Sequence, residues 1–68
     1  MSISENEIRR SVRETGDLCR ELLKGLDLRK IAQETGLPIG EVHDIAEGRI
    51  ANKSAIHVEN VRRVASGS

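Results

Sequence analysis

The chain is expected to fold as a small all-α domain of four helices, or five, with a long first helix and a helix-turn-helix at its centre. Three features of its 68 residues lead there. Apolar residues recur three and four apart through most of the length, which is the period of one helix face. Cap signals bracket the periodic runs: Ser4 and Glu7 at one start, Asp27 at another, and Gly25, Gly36 and Gly48 at the ends. Between Leu28 and Arg49 two short runs meet at a Gly-Leu-Pro corner, the spacing of two helices crossing at a tight turn.

In the first segment, Ser4 can accept from the backbone N–H three residues on while Glu7 reciprocates, a capping box that starts a helix near Glu5. Its stripe runs Ile8, Val12, Thr15, Cys19, Leu22 and Leu26, widened by Leu18 and Leu23. Gly16 costs such a helix roughly 1 kcal/mol relative to Ala, yet a break there would split a continuous stripe, so one helix over 5–24 is expected, stopped by Gly25. At 1.5 Å per residue it would be about 30 Å long, and its N-terminal half would overhang the shorter elements. Arg9, Arg10, Arg13 and Arg20, interleaved with Glu5, Glu14, Asp17 and Glu21, read as a solvated face.

Asp27 is the expected cap of the second helix, with Leu28, Ile31 and Ala32 inward and Gly36 at its end. Leu37 anchors the turn. Pro38 fixes its own φ and biases Leu37 away from helix, so a third helix starts near Ile39, buries Val42, Ile45 and Ala46, and closes at Gly48. The helix-turn-helix thus occupies 27–48. A loop from Arg49 to Lys53 leads to a last helix over 54–65 with Ile56, Val58, Val61, Val64 and Ala65 as its apolar positions, although Ile56 and Val58 also fit strand alternation.

A chain of this length is one domain and buries only about 60% of the surface its unfolded form exposes. With no Trp, Tyr or Phe, the interior is filled by aliphatic residues, and a second subunit adding buried area is expected. The alternating spacing at Ile8, Val12 and Thr15 suits a seam between two copies of the first helix as well as it suits packing within one domain. Eleven Lys and Arg balance eleven Asp and Glu, so nucleic-acid binding would have to rest on local charge. Cys19 is the only cysteine, which allows no internal disulfide and no multi-thiolate metal site; on the apolar stripe it reads as a small buried hydrophobe. His43 and His57 lack metal-ligand spacing, so neither metal nor cofactor is expected, and His57 reads as structural. Arg62 and Arg63 suit the C-terminal dipole of the last helix. No secretory or membrane segment is evident, and the reading is cytoplasmic. No phosphate loop, dinucleotide turn or nucleophile elbow is present, and so small a chain leaves no room for a pocket of several hundred cubic ångströms, so an enzyme is not expected.

Ile31-Ala32, Gly36-Leu37, Val42, Ile45, Gly48 and Arg49 resemble the phage repressor and Cro-type, lambda-repressor-like, helix-turn-helix family over about Asp27 to Ala65. The resemblance implies a bacterial or phage DNA-binding transcriptional regulator, a repressor acting as a homodimer on double-stranded DNA. By the same resemblance Pro38, Ile39, Gly40, His43 and Asp44 would face base edges in the major groove, while Arg29, Lys30, Arg49 and Lys53 would contact phosphates. The reading positions depart from the family's usual Gln, Ser, Asn, Arg or Lys: Ile39 offers a methyl contact, Gly40 nothing, and Asp44 an acceptor for cytosine. Glu41, Asp44 and Glu47 bring negative charge towards a polyanion, which makes a dimer gathering about eight cations a near requirement of DNA binding. The acidic face equally suits a helix-turn-helix used for protein contact, docking on a basic partner as an antirepressor, an antitoxin-like module or a polymerase-associated factor would.

Overall fold

The computed structural model describes residues 4–67, with Glu5 as backbone only. Four helices follow in order: α1 (Glu5–Leu23), α2 (Leu28–Thr35), α3 (Ile39–Ala46) and α4 (Ala55–Ser66), with no strand among the described residues. Helix α1 runs unbroken through Gly16, and Ile56 and Val58 are helical.

The helix ends follow from local chemistry. The N–H of Glu7 donates to Ser4 Oγ at 3.2 Å and the N–H of Ser4 to Glu7 Oε2 at 3.4 Å, closing the capping box. Asp27 Oδ1 accepts from the N–H groups of Arg29 and Lys30 at 3.1 and 3.4 Å, satisfying two donors of the first turn of α2. At its other end Gly36 has φ 74°, and its N–H reaches the Ala32 carbonyl at 2.9 Å. Thr35, which sequence reasoning passed over, ties this corner: its hydroxyl donates to the Ile31 carbonyl at 2.8 Å and accepts from the Leu37 N–H at 3.4 Å. Helix α3 ends in a Schellman motif, with the N–H of Gly48 (φ 83°) bonded to the Ile45 carbonyl at 3.0 Å and that of Arg49 to the Asp44 carbonyl at 2.9 Å.

Helices α1 and α2 each pack against both α3 and α4. The core comprises Cys19, Leu23, Ile31, Val42, Ile45, Ile50, Val58, Val61 and Ala65, with Val12, Leu22, Leu26, Leu28, Ala32, Leu37, Ala46 and Val64 packed around it. Two expected core positions are instead on the surface, since Leu18 and Ile56 are exposed. On α1 the buried residues are Gly16, Cys19 and Leu23, with Val12, Thr15 and Leu22 half-buried beside them, a rotation of the stripe towards Gly16. Residues 6–11 are all exposed, so the start of α1 projects beyond the core, and the molecule measures 40 × 20 × 19 Å. Its radius of gyration, 12.2 Å, exceeds the roughly 11 Å of a compact chain this long because of that overhang.

Candidate nucleic-acid interface

Helix α3 is held from behind and open in front. Val42 and Ile45 are fully buried, whereas Pro38, Gly40 and His43 are exposed and Ile39 is 49% exposed. Because Gly40 and His43 lie opposite Val42 and Ile45 on a helix only eight residues long, with Ile39 flanking them, packing against α1, α2 and α4 dictates which side faces out. Pro38 supplies no side-chain cap, so the first-turn amides of Ile39 and Gly40 lack an intrahelical acceptor. Of the residues expected to face base edges, Ile39, Gly40 and His43 therefore share this surface, Pro38 is exposed at its N-terminal end, and Asp44 is at its edge.

Asp44 is engaged from two sides. Its Oδ1 accepts from Arg49 Nη2 at 3.0 Å and Nε at 3.3 Å, and its Oδ2 lies 3.0 Å from Lys53 Nζ. The Schellman motif explains the first contact, because the same turn that bonds the Arg49 N–H to the Asp44 carbonyl lays the guanidinium over the Asp44 carboxylate. Hydrogen bonds from Lys53 and then Arg49 hold the Asp44 carboxyl below the usual aspartate range. Arg49 Nη1 also reaches Glu47 Oε2 at 2.7 Å, and Glu47 Oε1 is 3.2 Å from His43 Nδ1. The chain His43, Glu47, Arg49, Asp44, Lys53 is thus continuous from the open face of α3 into the following loop. On the far side, Glu41 lies 3.5 Å from His57 Nδ1, an atom that is buried without a hydrogen bond.

The remaining predicted residues lie apart from this network. Arg29 and Lys30 are exposed at the start of α2 and make no ion pair among the described residues, while their backbone donors are occupied by Asp27. On α1, Ile8 is 53% exposed, whereas Val12 and Thr15 are half-buried, Val12 against the core. Cys19 is buried, and burial pushes its thiol pKa up against a weaker opposing pull from Arg62.

The expectation that so small a chain has no room for a cleft of several hundred cubic ångströms is not met. One open groove of about 660 Å³ is lined by Asp17, Arg20, Glu21, Lys24, Ala46 and Glu47. A second, of about 360 Å³, separates Val12 and Arg13 of α1 from Asp44 and the loop through Arg49 and Lys53. Ile50, missed by sequence reasoning because one apolar residue in a polar loop has no periodicity, also lines this second groove and anchors the loop to the core.

The chain matches no protein-family model, no curated protein and no solved structure. No described helix is long and apolar enough to cross a membrane.

Proposed function

We propose that this protein is a sequence-selective DNA-binding regulator of the lambda-repressor-like helix-turn-helix class, a repressor acting as a homodimer through α3 in the major groove. The carrying observation is the mounting of α3, with Val42 and Ile45 clamped in the core while Ile39, Gly40 and His43 point away from the protein beside an uncapped helix start. A helix entering a groove needs a face without protein neighbours and a rigid back, and it uses its N-terminal residues for base contact. Arg29 and Lys30, without carboxylate partners among the described residues, supply phosphate contacts at the start of α2.

A second reading is favoured by one observation. Arg49 and Lys53, expected at phosphates, are engaged by Asp44 and Glu47, so the open end of α3 is a balanced charge network rather than a basic patch. A charge-balanced face of this kind also suits a protein partner, with α3 as the docking element.

Anisotropy titration of a labelled duplex at two ionic strengths separates the two. DNA binding is expected to weaken steeply with salt, each neutralised phosphate contributing a slope near −0.9. No binding to any duplex at low salt would overturn the DNA reading and leave the protein-contact one.

A further inference from the structure

The groove between α1 and the α3–α4 loop is lined by three cations, Arg13, Arg49 and Lys53, and by the one carboxylate of Asp44, with Glu47 holding the other side of Arg49 at 2.7 Å. Arg13 makes no ion pair among the described residues. Lys53 is mostly covered, its side chain 18% exposed, while that of Asp44 is 35% exposed. The Asp44 carboxylate therefore sits where a small tetrahedral oxyanion would meet Arg49 on one oxygen and the Lys53 ammonium on another, with Arg13 of α1 also lining the groove.

We propose that Asp44 is an internal stand-in for a DNA backbone phosphate: it occupies the Arg49–Lys53 site in the unbound protein and is exchanged for a phosphate when a duplex docks, with Arg13 as a third contact from α1. This rests on the DNA reading above and adds to it a role for Asp44 other than accepting from cytosine. The exchange has a thermodynamic consequence. A cation that trades a carboxylate for a phosphate gains only the difference between the two partners, so contacts through Arg49 and Lys53 contribute little to indiscriminate binding. Asp44 thereby holds down affinity for every sequence alike, and discrimination rests with the open face of α3.

The test uses the full chain and a random-sequence duplex, so that base readout plays no part. Asp44→Asn keeps the shape and removes the charge. Freeing Lys53, and leaving Arg49 to Glu47 alone, is expected to steepen the salt slope by about 1 and to raise random-sequence affinity by up to about tenfold at low salt. Lys53→Gln should then weaken the Asp44→Asn chain more than it weakens the parent, because only in the parent does the lysine leave a carboxylate behind. Circular dichroism of each variant checks that the helices are retained, and the Lys53→Gln comparison within each background keeps the test independent of small changes in stability. Equal affinity and slope for the parent and Asp44→Asn would overturn the exchange and leave the DNA reading standing. Weaker binding by Asp44→Asn would overturn it too, since Asp44 would then be contacting the duplex itself. A variant that binds where the parent does not would support it, and failure of both chains to bind at low salt would end the DNA reading and the exchange together.

Discussion

The backbones of Gly16 on α1 and Gly48 after α3 touch: a Cβ built on Gly16 would stand 2.7 Å from the Gly48 carbonyl oxygen, and one on Gly48 would stand 3.0 Å from the Gly16 carbonyl oxygen. Gly16 is opposed by backbone alone, which cannot swing aside as a side-chain tip does, while Gly48 also meets the Arg20 side chain at 2.8 Å. This close approach lets α1 cross against the Schellman turn that places Arg49 over Asp44, so a glycine in the middle of one helix supports the charge network at the end of another.

Gly16→Ala should therefore destabilise the protein even though alanine favours a helix by roughly 1 kcal/mol over glycine. Overpacking typically costs about 1–3 kcal/mol, and here it acts between two backbones. Gly40, in α3, has nothing within 4 Å of the same added methyl, so Gly40→Ala gains up to about 1 kcal/mol. Thermal unfolding followed at 222 nm should move in opposite directions for the two variants, by about 4–8 °C per kcal/mol in a domain this small. A higher midpoint for Gly16→Ala would remove the close crossing. If α3 enters the groove, Gly40→Ala has a second effect, a more stable protein that binds DNA less well.

The contrast shows what the sequence could and could not convey. Helix period and cap chemistry placed all four helices to within a residue or two, because Ser4, Asp27, Gly36 and Gly48 act within their own turns. The phase of the α1 stripe was less legible: Gly16 lies on the buried line but has no side chain to announce it, so counting apolar residues shifts the face towards Thr15 and Leu22. At the candidate interface, exposure of Ile39, Gly40 and His43 follows from the burial of Val42 and Ile45. The grip of Lys53 on Asp44 depends on how a five-residue loop returns, which no periodicity encodes, whereas that of Arg49 follows from the local turn at Gly48.

Acid should weaken this grip. The folded-state pKa of Asp44 is lowered, chiefly by Lys53 and next by Arg49, relative to an ordinary aspartate near 3.9. A lowered value means that the unfolded chain takes up this proton first as pH falls. The stabilisation is thus fully present above the ordinary value and is lost as pH drops through the folded one. Urea midpoints for the parent and Asp44→Asn should differ at pH 7, with the parent more stable, and converge on acidification below about pH 4. A gap that stays constant down to pH 3 would show that the carboxylate gains nothing from its neighbours.

Cys19 offers a probe of the core. The side chain is inaccessible, and burial holds the thiol above its ordinary pKa, so at neutral pH it is protonated and shielded. A thiol-specific reagent should label the native chain only at the rate at which the domain opens, and immediately in denaturant. Gly16→Ala should accelerate labelling and Gly40→Ala should slow it. Rapid labelling of the parent would contradict the burial of Cys19.

Arg29 and Lys30 test the DNA reading from the opposite end of the motif. Their carboxylate neighbour Asp27 is bound to backbone N–H groups, which leaves both side chains available to phosphate. Replacing both with Gln should flatten the salt slope by about 1 for each phosphate left without its cation and lower affinity alike for every sequence. A weakening confined to one sequence would move them from phosphate to base edges, and unchanged affinity would place the start of α2 outside the interface.

Dimerisation is tested at Ile8, which projects from the core and is 53% exposed while Val12, a turn later, already packs inward. Burying an aliphatic side chain is worth about 1.5–3 kcal/mol, and a half-exposed one roughly half of that. Twofold symmetry applies the gain twice, because the same residue is buried in both subunits. Ile8→Glu forfeits this and sets two carboxylates against each other, while the core of each subunit keeps all its own packing. Sedimentation should therefore show a shift from two chains to one without a fall in helix content, and affinity for a two-half-site duplex should drop with it, since each subunit then binds alone. An unchanged mass would take the overhanging end of α1 out of the interface, leaving Leu18, Ile39 and Ile56 as the exposed large apolar side chains among the described residues through which two copies meet.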